Sequence, residues 1–590
     1  MTTYAYDGLN RPTSRSYSDG TPTVTYSYDA SGVSNSRGRL TSVSSSVSVT
    51  NYTGYDAMGG VTGSSQTTDG QTYTMSYAHN LAGALISGTY PSGRVVTTAY
   101  DNAGRLSTVN GQKTGEANKT YASSVSYTAH GAISEMKLGN NLWEHTIFNN
   151  RLQPVLIGLG TSQSIPNPQD FNRFRVDYSY GTTNNNGNVL QQTISVPDTS
   201  GTYIAQMSQY YEYDALNRLK SATEISGGTE SWKQTFVYDR YGNRTFDVST
   251  DEFGHKKTSD NAVGSLLTID PANNRFTAGQ GSILYDNAGN LTREFNGHTF
   301  GYDGENKPVT YDGGATTAGG ASYSYDGDGK RVKKIIGVSL ETTIFVYDAM
   351  GQMVAEYSSG GAQGSGGTSY LTSDILGTPR VITDSSGAVK ARHDYMPFGE
   401  EIGLLGGRTS PHGYVVDSVN QKFTSKERDT ETGLDYFRAR YYSSSAGRFT
   451  TADPITFTVA RLYDPARVNL YAYCRNSPLN YVDFDGRDVI LANARAVAQA
   501  RANIDVALKE NERKNIEIRG NRVELVSKDA IALESASPAY RGLWKAITQN
   551  AKHRYFALAP GESANVTYPE ALPAGQNPTF SYERVQPWGG

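Results

Sequence analysis

Cysteine is almost missing from this chain of 590 residues: Cys474 is the only one. One thiol excludes an internal disulfide framework and a cysteine-based zinc cluster. The eight histidines are scattered, without the His-x-x-x-His or His-Glu-x-x-His spacing of a metalloenzyme helix. No apolar run approaches the roughly 20 residues that span a bilayer. The formal net charge of -4 gives no case for general nucleic-acid binding by the repeat region. Helix-forming runs are nearly absent before about residue 490, and only 8 methionines occur. The glycine-rich stretch 359–367 lacks the Gly-Lys-Ser/Thr of a phosphate loop and reads as a flexible loop. No cofactor and no metal site is expected.

What is abundant is tyrosine and glycine, 42 and 62 residues, and they are organised. Tyr6-Asp7-Gly8-Leu9-Asn10-Arg11 returns as Tyr100-Asp101-Asn102-Ala103-Gly104-Arg105 and as Tyr213-Asp214-Ala215-Leu216-Asn217-Arg218. Tyr-Asp pairs that head this phrase start at Tyr6, Tyr28, Tyr55, Tyr100, Tyr213, Tyr238, Tyr285, Tyr302, Tyr325 and Tyr347. The gaps are near multiples of about 22 residues, and degenerate copies at Tyr77 and Tyr127 fill two of the longer ones. Period-two alternation before each pair, as in residues 24–28 and 234–238, predicts a strand. The Asp, Asn and Gly that follow predict a tight turn and a return strand. The unit is therefore a β-hairpin. Asp326-Gly327-Asp328-Gly329 could offer calcium ligands, but it coincides with the repeat turn and lacks the rest of an EF-hand.

These repeats resemble the YD repeats of bacterial RHS proteins and their toxin-complex relatives. The likeness strengthens along the chain. Tyr370 to Val381 is similar to the family's "YLxxDxLGSxRxVT", and Tyr395-Met396-Pro397-Phe398-Gly399-Glu400 to its "YxPFGE". Phe423 to Glu427, Glu431 to Tyr436 and Ala439-Arg440-Tyr441-Tyr442 resemble "FTGKERDxETGLxYFxARYY". Gly447 to Thr450 with Asp453-Pro454, then residues 469–483, resemble the ending of the RHS-associated core. The resemblance covers roughly residues 1–486. It implies a mainly β protein whose antiparallel sheet spirals into a shell, an associated core that closes one end, and a variable C-terminal domain carried as cargo. The expected divisions are a repeat shell at 1–420, the core at 421–486 and a small α+β domain at 487–590. Residues 1 to about 420 are expected to form one continuous curved sheet. Met1 already lies in a repeat, with no signal-peptide core. The expectation is an N-terminally incomplete product, its shell open at that end, that works secreted or at the cell surface.

In some relatives the core cleaves itself with aspartates, which here match Asp453 and Asp483. Two carboxylates in contact split their pKa values and can serve as base and acid toward a peptide. Arg448 precedes the first and would orient a carboxylate; Asp485 is nearby. The scissile bond would follow Gly486, before Arg487. This chain departs from the pattern: Asp453-Pro454-Ile455-Thr456 lacks the Gly, Asp483-Phe484-Asp485-Gly486 lacks the Pro, and Asp464-Pro465 is inserted. Asp-Pro and Asp-x-Asp-Gly also cap turns. The altered motifs lead to the expectation of mostly uncleaved chain. His393-Asp394 reads as structural.

After Gly486 the composition shifts. Residues 489–508 and 535–549 suit helices, 514–519 and 521–526 a hairpin about Gly520-Asn521, and 554–558 a strand. This tail holds 14 Lys and Arg against 11 Asp and Glu, poor support for a nuclease. Two function classes follow. One is a toxin or effector scaffold whose partners are its own C-terminal domain and an immunity-type protein. The other is a surface or cell-wall protein whose repeats bind carbohydrate or a partner. For either, the far-UV circular dichroism of the chain should be dominated by strand; a helix-dominated spectrum would overturn the repeat reading.

Overall fold

The computed structural model describes residues 1–454 and 468–487, apart from 166, 199, 265–266, 278–282, 339 and 360–366, and the strand segments 489–491, 516–519 and 522–525. The loop at 360–366, the inserted Asp464-Pro465, most of the first expected tail helix, all of the second and the 554–558 strand lie outside the described residues.

Twenty strands, from Thr2–Tyr6 to Arg244–Phe246, form one antiparallel sheet in which chain neighbours pair. The repeat's residues explain the folding of each hairpin. Asp214 Oδ1 accepts the amides of Leu216 and Arg218, both at 2.9 Å, and its Oδ2 accepts Arg218 Nε at 2.7 Å. Asp7 and Asp101 repeat the set with Leu9 and Arg11, and with Ala103 and Arg105. The residue three after each Asp is left-handed: Asn10, Gly104 and Asn217 have φ of 57°, 74° and 59°. Only Gly and Asn adopt that region cheaply, which fixes the repeat's sequence there.

Two further contacts join one unit to the next. The turn's Arg lies over the next unit's Tyr, with Arg105 4.3 Å from the Tyr127 ring and Arg218 4.3 Å from Tyr238. The Tyr hydroxyl reaches back to a carbonyl of the preceding hairpin, Tyr127 to Leu106 at 2.7 Å and Tyr238 to Leu219 at 2.5 Å. The degenerate copies keep the turn with other acceptors: Asn80, Thr128 and Asn149 replace Asp. Register also shifts at the repeat Tyr, as between Ala5 and Tyr6, Glu212 and Tyr213, and Val346 and Tyr347. Such bulges raise the local twist and bend the strand.

The expected single sheet to residue 420 needs correction. Beyond Phe246 the ladder breaks into two short hairpins, a six-stranded sheet from Phe300–Tyr302 to Met353–Ser359, and a three-stranded sheet ending at Val389–Arg392. The reason lies in what these strands meet. They lie against the first sheet, so their bonds go across layers. Arg15 donates to the Gly327 carbonyl at 2.9 Å, Gln66 to that of Phe345 at 2.8 Å, Asn140 to Thr383 Oγ1 at 2.9 Å and Arg173 to the Gly387 carbonyl at 2.9 Å. The separation of these partners along the chain falls from 312 to 279, 243 and 214 residues. The second layer therefore runs a shorter path than the first, as in a spiral that tightens.

Buried ion pairs lock the layers. Arg408 forks onto Glu224 of the first sheet at 2.7 and 2.8 Å and bonds Asp394 at 2.7 Å, which in turn meets Arg380. Arg331 of the six-stranded sheet meets Asp429 at 2.6 Å and Glu427 at 2.8 Å, and Lys334 meets Asp429 at 3.0 Å. His393 lies between Glu401 and Asp417, at 2.6 and 2.7 Å. Apolar packing follows the same seams: Leu159, Val176, Ile194, Met207 and Trp232 share one cluster with Val381 and Phe398.

Since each repeat Asp serves its own turn, Asp214→Ala should cost at most about 2 kcal/mol in urea unfolding. It should leave any processing of the chain intact. Lost processing at normal stability would show that this turn does more than fold.

Candidate functional site

In the stretch expected to be the associated core, four short strands, Glu427–Arg428, Asp435–Tyr436, Tyr441–Ser443 and Arg448–Phe449, pair in order. Phe423, Phe437, Tyr442, Phe449 and Tyr473 pack beneath them with Cys474, and the Tyr442 and Tyr473 rings are 4.5 Å apart. Between the second and third strands the chain turns sharply, with Arg438 left-handed at φ 61°. That turn presents Arg440. Its guanidinium lies 3.6 Å from the Phe449 ring centre and is almost wholly buried.

Arg440 brings the two expected aspartates together. Its Nη2 is 3.3 Å from Asp483 Oδ2 and 3.7 Å from Asp453 Oδ2. Its Nη1 donates to the Leu470 carbonyl at 2.9 Å, the same carbonyl that accepts the Asp453 amide at 3.0 Å. Its Nε donates to the carbonyl of Gly486. Asp483 ends the strand Tyr481–Asp483 and closes the next turn. Its Oδ1 accepts the amides of Gly486 at 2.8 Å and Arg487 at 3.1 Å. Asp485 Oδ1 accepts the same Arg487 amide at 3.1 Å. Gly486 is left-handed at φ 75°, and a Cβ there would meet the Phe437 carbonyl at 2.7 Å. Only glycine fits this turn.

The expected bond, Gly486–Arg487, thus has a guanidinium on its carbonyl and a carboxylate on its nitrogen. Burial, opposed by Arg440 and reinforced by Asp485 and Asp453, pushes the Asp483 carboxyl up to about 7. Burial also brings Lys426 down to about 8; its ammonium sits 4.7 Å from the Phe484 ring centre. A carboxyl that titrates near neutrality can give or take a proton there.

Arg448 does not have the place expected of it. It donates to the Asn274 carbonyl and lies 4.8 Å from the ring centres of both Phe276 and Tyr471. The arginine that meets the carboxylates is Arg440, which sequence reading passed over although it stands in the quoted Ala439-Arg440-Tyr441-Tyr442 motif. The chain after the site also differs from expectation. Val489–Leu491, read as the start of a helix, is a strand paired with Tyr481–Asp483. Tertiary pairing overrides the helix propensity of the stretch. The two strands expected of the later hairpin pair, Ile516–Arg519 against Arg522–Leu525. Asp326 folds a repeat turn through the amides of Asp328 and Lys330, and Asp328 pairs with Lys330 at 2.9 Å.

The teneurin YD-shell family model matches residues 168–479, just over half of the chain. The chain belongs to that family. Among curated proteins, the tRNA3(Ser)-specific nuclease WapA of Bacillus spizizenii is 28% identical over 295 residues, 47% of this chain and 12% of the nuclease. Toxin subunit YenC2 of Yersinia entomophaga is 24% identical over 484 residues, 70% of this chain and 48% of the subunit. The YD-shell chain therefore spans at most about half the length of these relatives. The crystal structure of TcdB2-TccC3 without its hypervariable C-terminal region superposes with a TM-score of 0.61 at 21% identity, over 82% of this chain and 27% of that one. The shared fold is the spiralled β-shell. Among the described residues no helix is long and apolar enough to cross a membrane.

The raised Asp483 carboxyl predicts a pH effect on this YD shell. The folded state binds that proton more tightly than the unfolded chain, whose value lies near 3.8. The contribution to stability is full below about 4 and is lost as the pH rises toward 7. The urea midpoint of wild type should therefore fall between pH 5 and 7.5 by more than that of Asp483→Asn. Parallel changes in the two proteins would show that the carboxyl is not held protonated.

Proposed function

We propose that the chain is a shell scaffold that carries the segment after Gly486 as cargo, a toxin or secreted effector domain, and frees it by hydrolysing the Gly486–Arg487 bond. The observation that carries this reading is that Arg440, bonded to the Gly486 carbonyl, also meets Asp453 and Asp483, while Asp483 accepts the Arg487 amide. Asp453 takes a proton from a water whose oxygen bonds to the Gly486 carbon. Arg440 Nε stabilises the charge that gathers on the carbonyl oxygen. Asp483 gives its proton to the Arg487 nitrogen as the carbon–nitrogen bond breaks. The products are the Gly486 carboxylate and the α-ammonium of Arg487, which takes up the new acid's proton, while one proton has passed in net from Asp483 to Asp453. Water is the only co-reactant.

The names of the relatives, a toxin subunit and a tRNA nuclease, support a toxin cargo; secretion of the chain or its display at the cell surface belongs to the same proposal. An immunity-type protein that binds the cargo belongs to the same reading. The carbohydrate-binding alternative has less support, because repeat tyrosines such as Tyr100, Tyr127 and Tyr238 place their hydroxyls on backbone carbonyls of the sheet.

Intact mass spectrometry of the purified full chain tests the proposal. Wild type should yield a fragment of residues 487–590, and Asp453→Asn and Arg440→Met should each slow its appearance by about 100-fold or more. A break at another bond, a break that persists unchanged in both variants, or an intact wild type would overturn it.

A further inference from the structure

The amide of Arg487 is shared. Its hydrogen lies between Asp483 Oδ1 and Asp485 Oδ1, each 3.1 Å from the nitrogen. Asp483 has a place in the proposed hydrolysis; Asp485 has none. Yet Asp485 is built in as firmly. Its residue is 6% exposed, and its backbone carbonyl accepts the Ala439 amide at 3.0 Å from the turn that presents Arg440. Its carboxylate, like that of Asp453, sets negative charge beside Asp483 and helps to keep the Asp483 proton on.

Both features oppose cleavage. A peptide nitrogen bonded through its N–H to carboxylates gives more of its lone pair to the peptide's double-bond character. To leave, that nitrogen must become pyramidal and accept a proton on the lone pair. Asp483 must let go of the N–H to offer its proton; Asp485, which has no proton to offer and keeps its grip, stabilises the planar starting state and so lowers the rate. Negative charge at the same spot also opposes the charge that develops on the Gly486 oxygen.

We infer that Asp485 is a positioning residue that restrains this site: it holds the Gly486–Arg487 peptide in its resting form and keeps self-cleavage slow. The inference rests on the hydrolysis proposed above and adds its regulation. Asp483 and the Arg487 amide lie on the same turn as Asp485, Lys426 faces it from the first core strand's approach, and Arg440 stands on the adjoining turn. Arg438 and Asp435 lie about Lys426, and Asp453 and Cys474 lie about Asp483.

The test compares wild type with Asp485→Asn and Asp485→Ala as full chains, following release of residues 487–590 by mass across pH 4 to 9. Asp485→Ala should cleave about tenfold faster or more, the worth of a charged hydrogen bond. Asp485→Asn, which keeps an acceptor without the charge, should fall between. In both variants the alkaline inflection of the rate should move to lower pH by about one unit, because a like charge beside the proton-giving carboxyl is gone. A purely structural residue would not move that inflection. A urea midpoint near that of wild type shows that each variant is folded. Should Asp453→Asn abolish cleavage while both Asp485 variants keep the wild-type rate and inflection, the restraint is wrong and the hydrolysis stands. Slower cleavage in a folded Asp485→Ala would likewise overturn the restraint. If no chain cleaves at any pH, the hydrolysis itself is wrong and the restraint falls with it.

Discussion

The structure depends on one contact repeated along the wall: an aspartate carboxylate that folds its own turn while holding the arginine that bridges to the next. In Asp214 a single carboxylate satisfies two backbone amides and one guanidinium. That removes the orphan donors a tight turn would leave and immobilises the arginine stem over Tyr238. Tyr238 then anchors the next strand to Leu219. Each hairpin is thereby specified by its own residues and by its immediate neighbour, which is how a quasi-one-dimensional array gains cooperativity. The exposed faces of such a sheet need little apolar packing, and the richness in tyrosine follows. The ring serves as a platform for the guanidinium and the hydroxyl as a staple.

Much of this was legible in the sequence because it is local. The Asp-to-Arg spacing of four, the Gly or Asn one place before the Arg and the alternating strand before the Tyr all act within a dozen residues. The copies with Asn80 and Thr128 read as degenerate, but the one with Asn149 was harder to see, because any side-chain acceptor can fill the role once neighbouring hairpins enforce the turn. What could not be read was long-range. After Phe246 the strands pair in smaller sheets and bond across layers to the first, as Phe345 does with Gln66, 279 residues away. Val489–Leu491 joins a strand because Tyr481–Asp483 offers it an edge. Neither fact is encoded near the residues concerned.

The candidate site shows the same division. Asp453, Asp483 and Gly486 stood in recognisable motifs. Arg440 did not announce itself, since its partners lie 43 and 46 residues further on and an Arg before two tyrosines resembles ordinary strand packing. Arg448 looked better by sequence proximity to Asp453, but proximity along the chain gives it the Asn274 carbonyl and two rings instead. At a site assembled from three turns, the deciding residue is the one whose side chain is long enough to cross between them.

The falling separation between wall residues and their cross-layer partners, from 312 at Arg15 to 214 at Arg173, sets an order of events during synthesis. An early hairpin can zip up from local contacts as soon as it emerges. Its layer partner is made some three hundred residues later, so the first wall must wait with one face uncovered. The earliest strands wait longest and later ones progressively less, and contacts this distant are intrinsically slow to form. The repeat chemistry that makes each hairpin self-sufficient is therefore also what lets an unfinished wall keep its shape until the rest of the chain arrives to line it.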